Sequence, residues 1–338
     1  MNTASAEISA PKNMQTQRGK IIPPQSIEHG YDQTWYPICL SSELVEGEIM
    51  SVEFMNGRVI AIRDASGKAH VLSAFCRHLG ADLVGGDLVD GTVRCPYHHW
   101  RYDMQGQCVG TAIDRAPSAA KLFRFPVHEG MGLVWAFNGA EPLFDPPRWE
   151  VPDSELTIVA TKEQIEPVDH YVPFSNSCDI QHLIVVHGMK LEINPEGLEF
   201  TPYSIKYLQE QDAPGMGHLS MWIKMAGTAT LLLWSETMGR MMYMMSCGRP
   251  LPGNRTQIYQ AAATPPRANV PGDPQMAAAM INQSIGFARQ LMKEDGPTIA
   301  RISFREDILT HSDRTLAQYF DWVRAFPRSR AACDFIAV

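Results

Sequence analysis

Hydrophobic and polar positions alternate at short range through the first third of the chain, and turn residues punctuate the alternation. Phe54-Met55-Asn56-Gly57-Arg58-Val59 sets an Asn-Gly pair between apolar positions, the mark of a tight hairpin. Asp64-Ala65-Ser66-Gly67-Lys68 reads as a second turn, and Gly130 to Phe137 (GMGLVWAF) as a strand-forming run. Short strands separated by glycine turns predict a small β-sandwich. Phe144-Asp145-Pro146-Pro147 then stops ladder and helix alike, because proline lacks a backbone donor, and places a domain boundary near there. Beyond it the pattern predicts a helix over about 176–188, strands across about 217–263, and a long helix from Asp273. In that last helix Met276, Met280, Ile281, Ile285, Ala288, Leu291 and Met292 recur at helical spacing. Asp273-Pro274 reads as an N-cap followed by Pro at N1, and Gly296-Pro297 as an interruption. Over 176–188, Ile180, Leu183 and Ile184 form an apolar face, yet Val185 and Val186 leave no polar side, so the segment is expected to be buried all round. No internal repeat is present.

Composition narrows the class. At 338 residues, and roughly 100–200 residues per domain, two domains are expected, each with its own core. A polar tail is expected over 1–28, a first domain over 29–146 and a second over 147–338. The start lacks the apolar stretch of a secretory signal, and no run approaches the ~18 apolar residues of a membrane span, so a cytoplasmic protein is expected. Seven scattered cysteines, an odd number, argue against a disulfide framework and for reduced thiols or metal ligands. A formal charge of -8 without a Lys/Arg cluster leaves no electrostatic footprint for nucleic acid.

The candidate chemistry begins at Cys76-x-His78 and Cys95-x-x-His98. Structural zinc usually takes paired Cys-x2-4-Cys or His-x3-5-His spacings, whereas here each half supplies one thiolate and one imidazole. Two irons suit that arrangement better than one zinc, which is the competing reading. In a Rieske-type [2Fe-2S] centre two thiolates hold one iron and two histidines the other, and the smaller negative charge raises the potential to about -150 to +300 mV. Gly80, Gly85 and Gly86 allow tight loops and Pro96 stiffens the second. Adjacent His99 reads as an exposed or supporting imidazole.

CRH…CPYHHW followed by Tyr102, Gly106 and Cys108 resembles the cluster-binding region of Rieske non-heme iron oxygenases, with His99 where a Gly often stands. The shared spacing also occurs in Rieske ferredoxins, which are short; here about 190 residues remain to be explained. In those residues stands Asn176-Ser-Cys-Asp179-Ile-Gln-His182-Leu-Ile-Val-Val-His187-Gly188. A mononuclear Fe(II) site needs two imidazoles and one carboxylate with open positions for O2. The five-residue step from His182 to His187 does not stack on an ideal helix, so the last turn must loosen before Gly188 for both rings to reach one ion. The bland alternative is a helix capped by Asn176, with Asp179 in its first turn and two core histidines. The Asn-x2-Asp-x2-His-x4-His spacing is similar to the family's iron motif. Asp295 falls on the buried side of the long helix, where an unpaired carboxylate would cost several kcal/mol, and its surroundings resemble the family's third-ligand helix. Asp307 competes for that role.

The resemblance implies an α+β fold: a Rieske β-sandwich followed by a helix-grip-like catalytic domain of antiparallel sheet and helices. It implies a [2Fe-2S] cluster on Cys76, His78, Cys95 and His98, Fe2+ on His182, His187 and Asp295, and catalytic roles for Asp179 and Asn176. Asp179 would accept from His182 and from His98 of the next subunit in a head-to-tail homotrimer. Electrons from NAD(P)H would arrive through a flavoprotein reductase, with or without a ferredoxin, and O2 would hydroxylate or demethylate a hydrophobic, steroid-like or aromatic substrate. Trp322 sits at the distance expected of family members acting on steroids. Met238, Met241, Met242, Met244 and Met245, with Trp234 and Tyr243, would offer a soft apolar surface if they line the cavity, and at least half are expected in the core instead. Glu236 and Arg240 are the fixed charges near them. The contrasting function is an electron carrier or redox sensor whose second domain binds an apolar ligand without iron.

Overall fold

The computed structural model describes residues 22–213, 217–301 and 308–337; residues 1–21 of the expected tail, and Asp307, lie outside them. The fold is mixed α and β. In the first unit Ile49–Phe54, Gly57–Arg63, Ala69–Ser73 and Arg124–Phe125 form one antiparallel sheet, and Trp35–Leu40, Leu133–Phe137 and Val127–Gly130 another. Apolar residues on alternate positions, among them Tyr36, Ile38, Phe54, Val59, Val71, Phe125 and Val134, meet between the sheets as one buried cluster. A third small sheet, Asp87–Val89, Thr92–Arg94, Arg101–Tyr102 and Cys108–Gly110, carries the segment between the two Cys/His pairs.

One turn differs from its sequence reading. Phe54 pairs with Gly57, so the hairpin loop is Met55-Asn56, with Met55 at φ 53°. Gly57 instead admits a close neighbour: a Cβ there would lie 1.6 Å from the Ile336 carbonyl oxygen. The Gly130 to Phe137 run is β-structured as expected, with a hairpin turn at Met131 and Gly132, both left-handed, before the strand Leu133–Phe137.

The second unit is a large antiparallel sheet. Its strand order is Thr157–Glu166, Arg255–Thr264, Arg240–Leu251, Thr230–Thr237, Gly217–Ala226, Ser204–Ala213 and Lys190–Glu192, with Glu199–Thr201 also on Ser204–Ala213. The period of two divides its residues between two jobs. Tyr243, Met245, Cys247, Tyr259, Ala261 and Ala263 pack on Trp35, Leu133, Trp135 and Phe137 of the first unit. Met242, Met244 and Ala262 pack instead on the long helix through Met280, Ile281 and Ile285. The helices are α1 (Val172–Ser175), α2 (Ile180–Val185), α3 (Asp273–Ile299), α4 (Arg314–Ala325) and α5 (Cys333–Ile336).

α3 corrects three expectations. Gly272, at φ 77°, is its N-cap, and Asp273 is the first helical residue, buried and ion-paired with buried Arg240. Arg240 therefore presents no free charge to a cavity. Gly296-Pro297 does not interrupt the helix, which continues to Ile299; a proline so close to the C-terminus forfeits only one of the last helical bonds. Met276 is 56% exposed, so the buried stripe starts after it.

The chain end returns to the first unit. Arg328–Ser329 pairs with Tyr31–Asp32, and Cys333 and Ile336 of α5 enter the sandwich core. Fully buried Asp32 ties this return together, accepting from Gln25 Nε2 (2.8 Å), Thr228 Oγ1 (2.6 Å) and Arg328 Nε (3.1 Å), with His170 Nε2 at 3.3 Å.

Candidate metal centres

Two loops of the first unit close in the same way. The Cys76 N–H donates to the Ala81 carbonyl and the Gly80 N–H to that of Cys76; the Cys95 N–H donates to Trp100 and the His99 N–H to Cys95. In each loop the fourth residue after the cysteine is left-handed, Gly80 at φ 74° and His99 at φ 57°. His99 thus does the conformational work of a glycine, and its ring is exposed. The loops bury both thiols at their base and hold His78 and His98 at the rim, with the two Nδ1 atoms 3.2 Å apart. His78 is stacked on Trp100, rings 4.6 Å apart. Burial raises the Cys76 thiol above its ordinary pKa, and the Tyr102 hydroxyl, 3.2 Å from Sγ, opposes that shift. Paired thiols below and paired imidazoles above fit a two-iron cluster held by sulfur on one iron and nitrogen on the other.

The second constellation starts from a capped turn. Asp179 is the N-cap of α2, its Oδ1 accepting the His182 N–H at 2.9 Å. Asn176 opens the preceding single 3₁₀ turn and does not cap the helix. The helix stops at Val185, so His187 lies beyond it, before left-handed Gly188. That break lets the two rings converge, Nε2 to Nε2 at 3.0 Å. Asp295 reaches in from α3, with Oδ1 at 3.2 Å from His182 Nε2 and 3.1 Å from His187 Nε2. Asp295 Oδ1 is buried and has no hydrogen-bond partner among the described residues, while Oδ2 accepts from Asn176 Nδ2 at 3.0 Å. Three lone-pair donors facing one point, one of them an orphaned carboxylate oxygen, fit a divalent ion with two imidazoles and one carboxylate on a single face.

Glu294 was not foreseen from the sequence. Its Oε2 lies 2.8 Å from His187 Nδ1, and its Oε1 accepts from Gln290 Nε2 at 2.7 Å. The hydrogen bonds from Gln290 and then His187 hold its carboxyl below the ordinary range. The Gln290-x3-Glu294 spacing was the available signal.

Residues 34–126 match the Rieske [2Fe-2S] domain. The chain is 31% identical over 180 residues to cholesterol 7-desaturase nvd of Bombyx mori, covering 51% of this chain and 38% of that protein. It is 33% identical over 172 residues to aminopyrrolnitrin oxygenase PrnD of Pseudomonas fluorescens, covering 47% and 46%. Each match spans less than half of the relative's own length. Among solved structures, NdmA of Pseudomonas putida CBB5 with caffeine superposes with a TM-score of 0.67 at 19% identity, over 89% of this chain and 94% of that one. Dicamba monooxygenase bound to dicamba gives 0.66 at 18%, over 88% and 98%. The chain carries a Rieske [2Fe-2S] domain.

A cavity of about 200 Å³ opens beside His182, His187 and Asp295, between α3 and the large sheet. Met221, Ile223, Leu233, Met244, Leu291 and Met292 make its walls mainly apolar. Of the methionine run, Met244 and Met245 line it, Met241 and Met242 pack in clusters, and Met238 is 86% exposed. Trp322 lies in the core, its Nε1 donating to the Thr201 carbonyl, and is not among the lining residues. The expected all-round burial of 180–186 is also corrected: Leu183 is buried, while Ile184, Val185 and Val186 are 44%, 79% and 48% exposed. Leu79 and Tyr97, flanking His78 and His98 in sequence, are 66% and 64% exposed. No described helix is long and apolar enough to cross a membrane.

Proposed function

We propose that the chain is the terminal oxygenase of a multicomponent system, converting RH, O2, two electrons and two protons into ROH and water, or, from a substrate with a methyl on oxygen or nitrogen and the same co-reactants, giving the demethylated product, formaldehyde and water. The observation that carries this reading is the orphaned Asp295 Oδ1 between His182 and His187, at the edge of an apolar cavity, in a chain with a Rieske domain. Residues 29–146 would hold the cluster on Cys76, His78, Cys95 and His98, and residues 147–338 the iron on His182, His187 and Asp295. When bound, the cluster supplies electrons and the iron supplies the centre at which O2 reacts.

The chain's own residues do the positioning. Asn176 pins Asp295 Oδ2, so that Oδ1 is the oxygen turned to the imidazoles. Glu294 fixes the His187 ring through Nδ1, as carboxylates commonly orient ligating histidines. The apolar walls exclude water and hold an apolar substrate beside the centre. A cavity of about 150 Å³ accepts benzene, so this one suits a body of one or two rings, with larger molecules projecting from the mouth. The named relatives and neighbours involve cholesterol, aminopyrrolnitrin, caffeine and dicamba, and an aromatic substrate follows more readily from the volume than a steroid.

Electron delivery would pass between copies in a homotrimer. Exposed apolar residues border each centre, Leu79 and Tyr97 at the cluster and Ile184, Val185 and Val186 beside the iron motif. Two different patches meeting head to tail make a heterologous contact, the kind that forms a ring when its rotation closes. Asp179 has one oxygen engaged in capping α2; the other would bridge the His182 ring to His98 of the neighbouring copy. A flavoprotein reductase, with or without a ferredoxin, would draw on NAD(P)H, and seven free cysteines suit the reducing cytoplasm.

Metal and sulfide analysis tests the reading. About three irons per chain, two of them with labile sulfide, and reductase-dependent O2 uptake are expected. Two irons with full sulfide and no O2 uptake would instead identify an electron carrier.

A further inference from the structure

The cavity contains two polar features that the proposed chemistry leaves unused. Gln260, 2% exposed, has an Oε1 with no partner among the described residues, and its Nε2 meets only the Met292 thioether at 3.7 Å. Gln209, 3% exposed, also has a partnerless Oε1, while its Nε2 donates to Gln211 Oε1 at 2.6 Å. Both glutamines line the same cavity. Amide oxygen and nitrogen can be exchanged by turning the group; as the amides stand, each keeps one buried oxygen unsatisfied.

The sheet sets these amides apart. Gln260 lies on Arg255–Thr264 and stands opposite Ser246, another lining residue; Gln209 lies on Ser204–Ala213, opposite Met221. Directly paired residues share a face, so all four project from one side of the sheet. Between the two glutamines are four strand steps, about 19 Å across the strands at ~4.8 Å per step, and, because Gln260 is level through Ser246, Leu231 and Met225 with Ile205, four residues, about 13 Å, along them. Met244, Leu233 and Ile223, from the intervening strands, make the ground between them apolar. A core that merely needed filling would place leucine or methionine at these positions, since an unpaired buried amide is destabilising whereas an apolar replacement of the same shape is not.

We propose that the cavity recognises an elongated apolar molecule carrying a hydrogen-bonding group, hydroxyl, carbonyl or amide, at each of two ends, one read by Gln260 with Ser246 and the other by Gln209 with Gln211. This rests on the oxygenase reading for its chemistry but not for its measurement. The two glutamines are specificity-determining residues: they fix the orientation in which the body lies between them, and so which carbon faces the metal site.

Binding to the metal-loaded protein, measured by calorimetry with biphenyl, 4-hydroxybiphenyl and 4,4′-dihydroxybiphenyl, tests the proposal without turnover. Each hydroxyl is expected to tighten binding roughly fivefold to tenfold. Gln260→Leu and Gln209→Leu should each remove one such step and leave biphenyl unchanged or tighter, and the double variant should bind all three alike. Gln260→Met and Gln209→Met, which keep side-chain length, repeat the test if a leucine variant melts early. Equal binding of the three probes by the parent protein would mean that water alone satisfies the amides, and the proposal would fall. It would fall equally if the diol kept its advantage in the double variant. Protein that discriminates along the series but lacks the third iron refutes only the oxygenase reading; fully loaded, O2-consuming protein without discrimination refutes only this one.

Discussion

Replacing Glu294 by Gln isolates the contribution of a carboxylate that touches the proposed iron site without belonging to its ligand triangle. The His187 side chain is 2% exposed, and its Nδ1 has Glu294 Oε2 at 2.8 Å. The amide can still accept one hydrogen bond, so the ring keeps its tautomer; what disappears is the negative charge that strengthens the imidazole as a donor of lone pairs. Removing such outer partners generally costs about 10–100-fold in metal affinity. Glu294 is 37% exposed, and solvent screens its charge, which places Glu294→Gln at the low end, near tenfold. Glu294→Leu, which removes the hydrogen bond as well, belongs near the high end. Anaerobic Fe(II) competition against a chelator measures the affinity, and the cluster's absorbance serves as an internal control of folding. A loss beyond about a thousandfold would make Glu294 a ligand in its own right, and an unchanged affinity in the leucine variant would reduce the contact to a surface pair; either outcome refutes the reasoning.

Three further outcomes follow from the structure. His99→Gly should raise the melting temperature by about 2–4 °C with an intact cluster spectrum, because a left-handed non-glycine costs about 1 kcal/mol; a lower melting temperature would show that the imbalance is compensated by the ring. Asp32→Asn should cost about 3–5 kcal/mol in denaturant unfolding, since Arg328 would be left without its buried partner. Burial alone would raise the Asp32 carboxyl, but hydrogen bonding and charge from His170, then Arg328 and Thr228, hold it below its usual pKa. The stability from this group is therefore complete above about pH 4 and lost as pH falls through the lower folded value, a limb that the Asn variant should lack. Gly57→Ala places a Cβ 1.6 Å from the Ile336 carbonyl oxygen and should cost more than about 3 kcal/mol by displacing α5; a loss under about 1 kcal/mol would contradict the docking of the chain end.

What could be read from the sequence and what could not divide along a physical line. Cys76, His78, Cys95 and His98, and likewise His182 and His187, are close in sequence, so local spacing carries their chemistry; the turns that orient them are marked by Gly80 and Gly188. Asp295 was reachable because helical periodicity put a carboxylate on a buried face, and that required only α3's own residues. The errors at the ends of α3 arose where local rules meet tertiary partners: Asp273 reads as a cap until Arg240, brought by a distant strand, claims it. Val185 and Val186 read as core because hydrophobicity reports that surface must be covered, without saying whether this chain or another copy covers it. Gln209 and Gln260 were illegible for the opposite reason. A glutamine in a strand is unremarkable by composition, and only the sheet register, which sets both on one face over an apolar cavity with a polar atom left unpaired, distinguishes them from surface residues. The proposed metal ligands of this chain are therefore written mainly in neighbouring residues, while the proposed reading of its substrate is written in pairings between strands, and sequence spacing alone reaches the first but not the second.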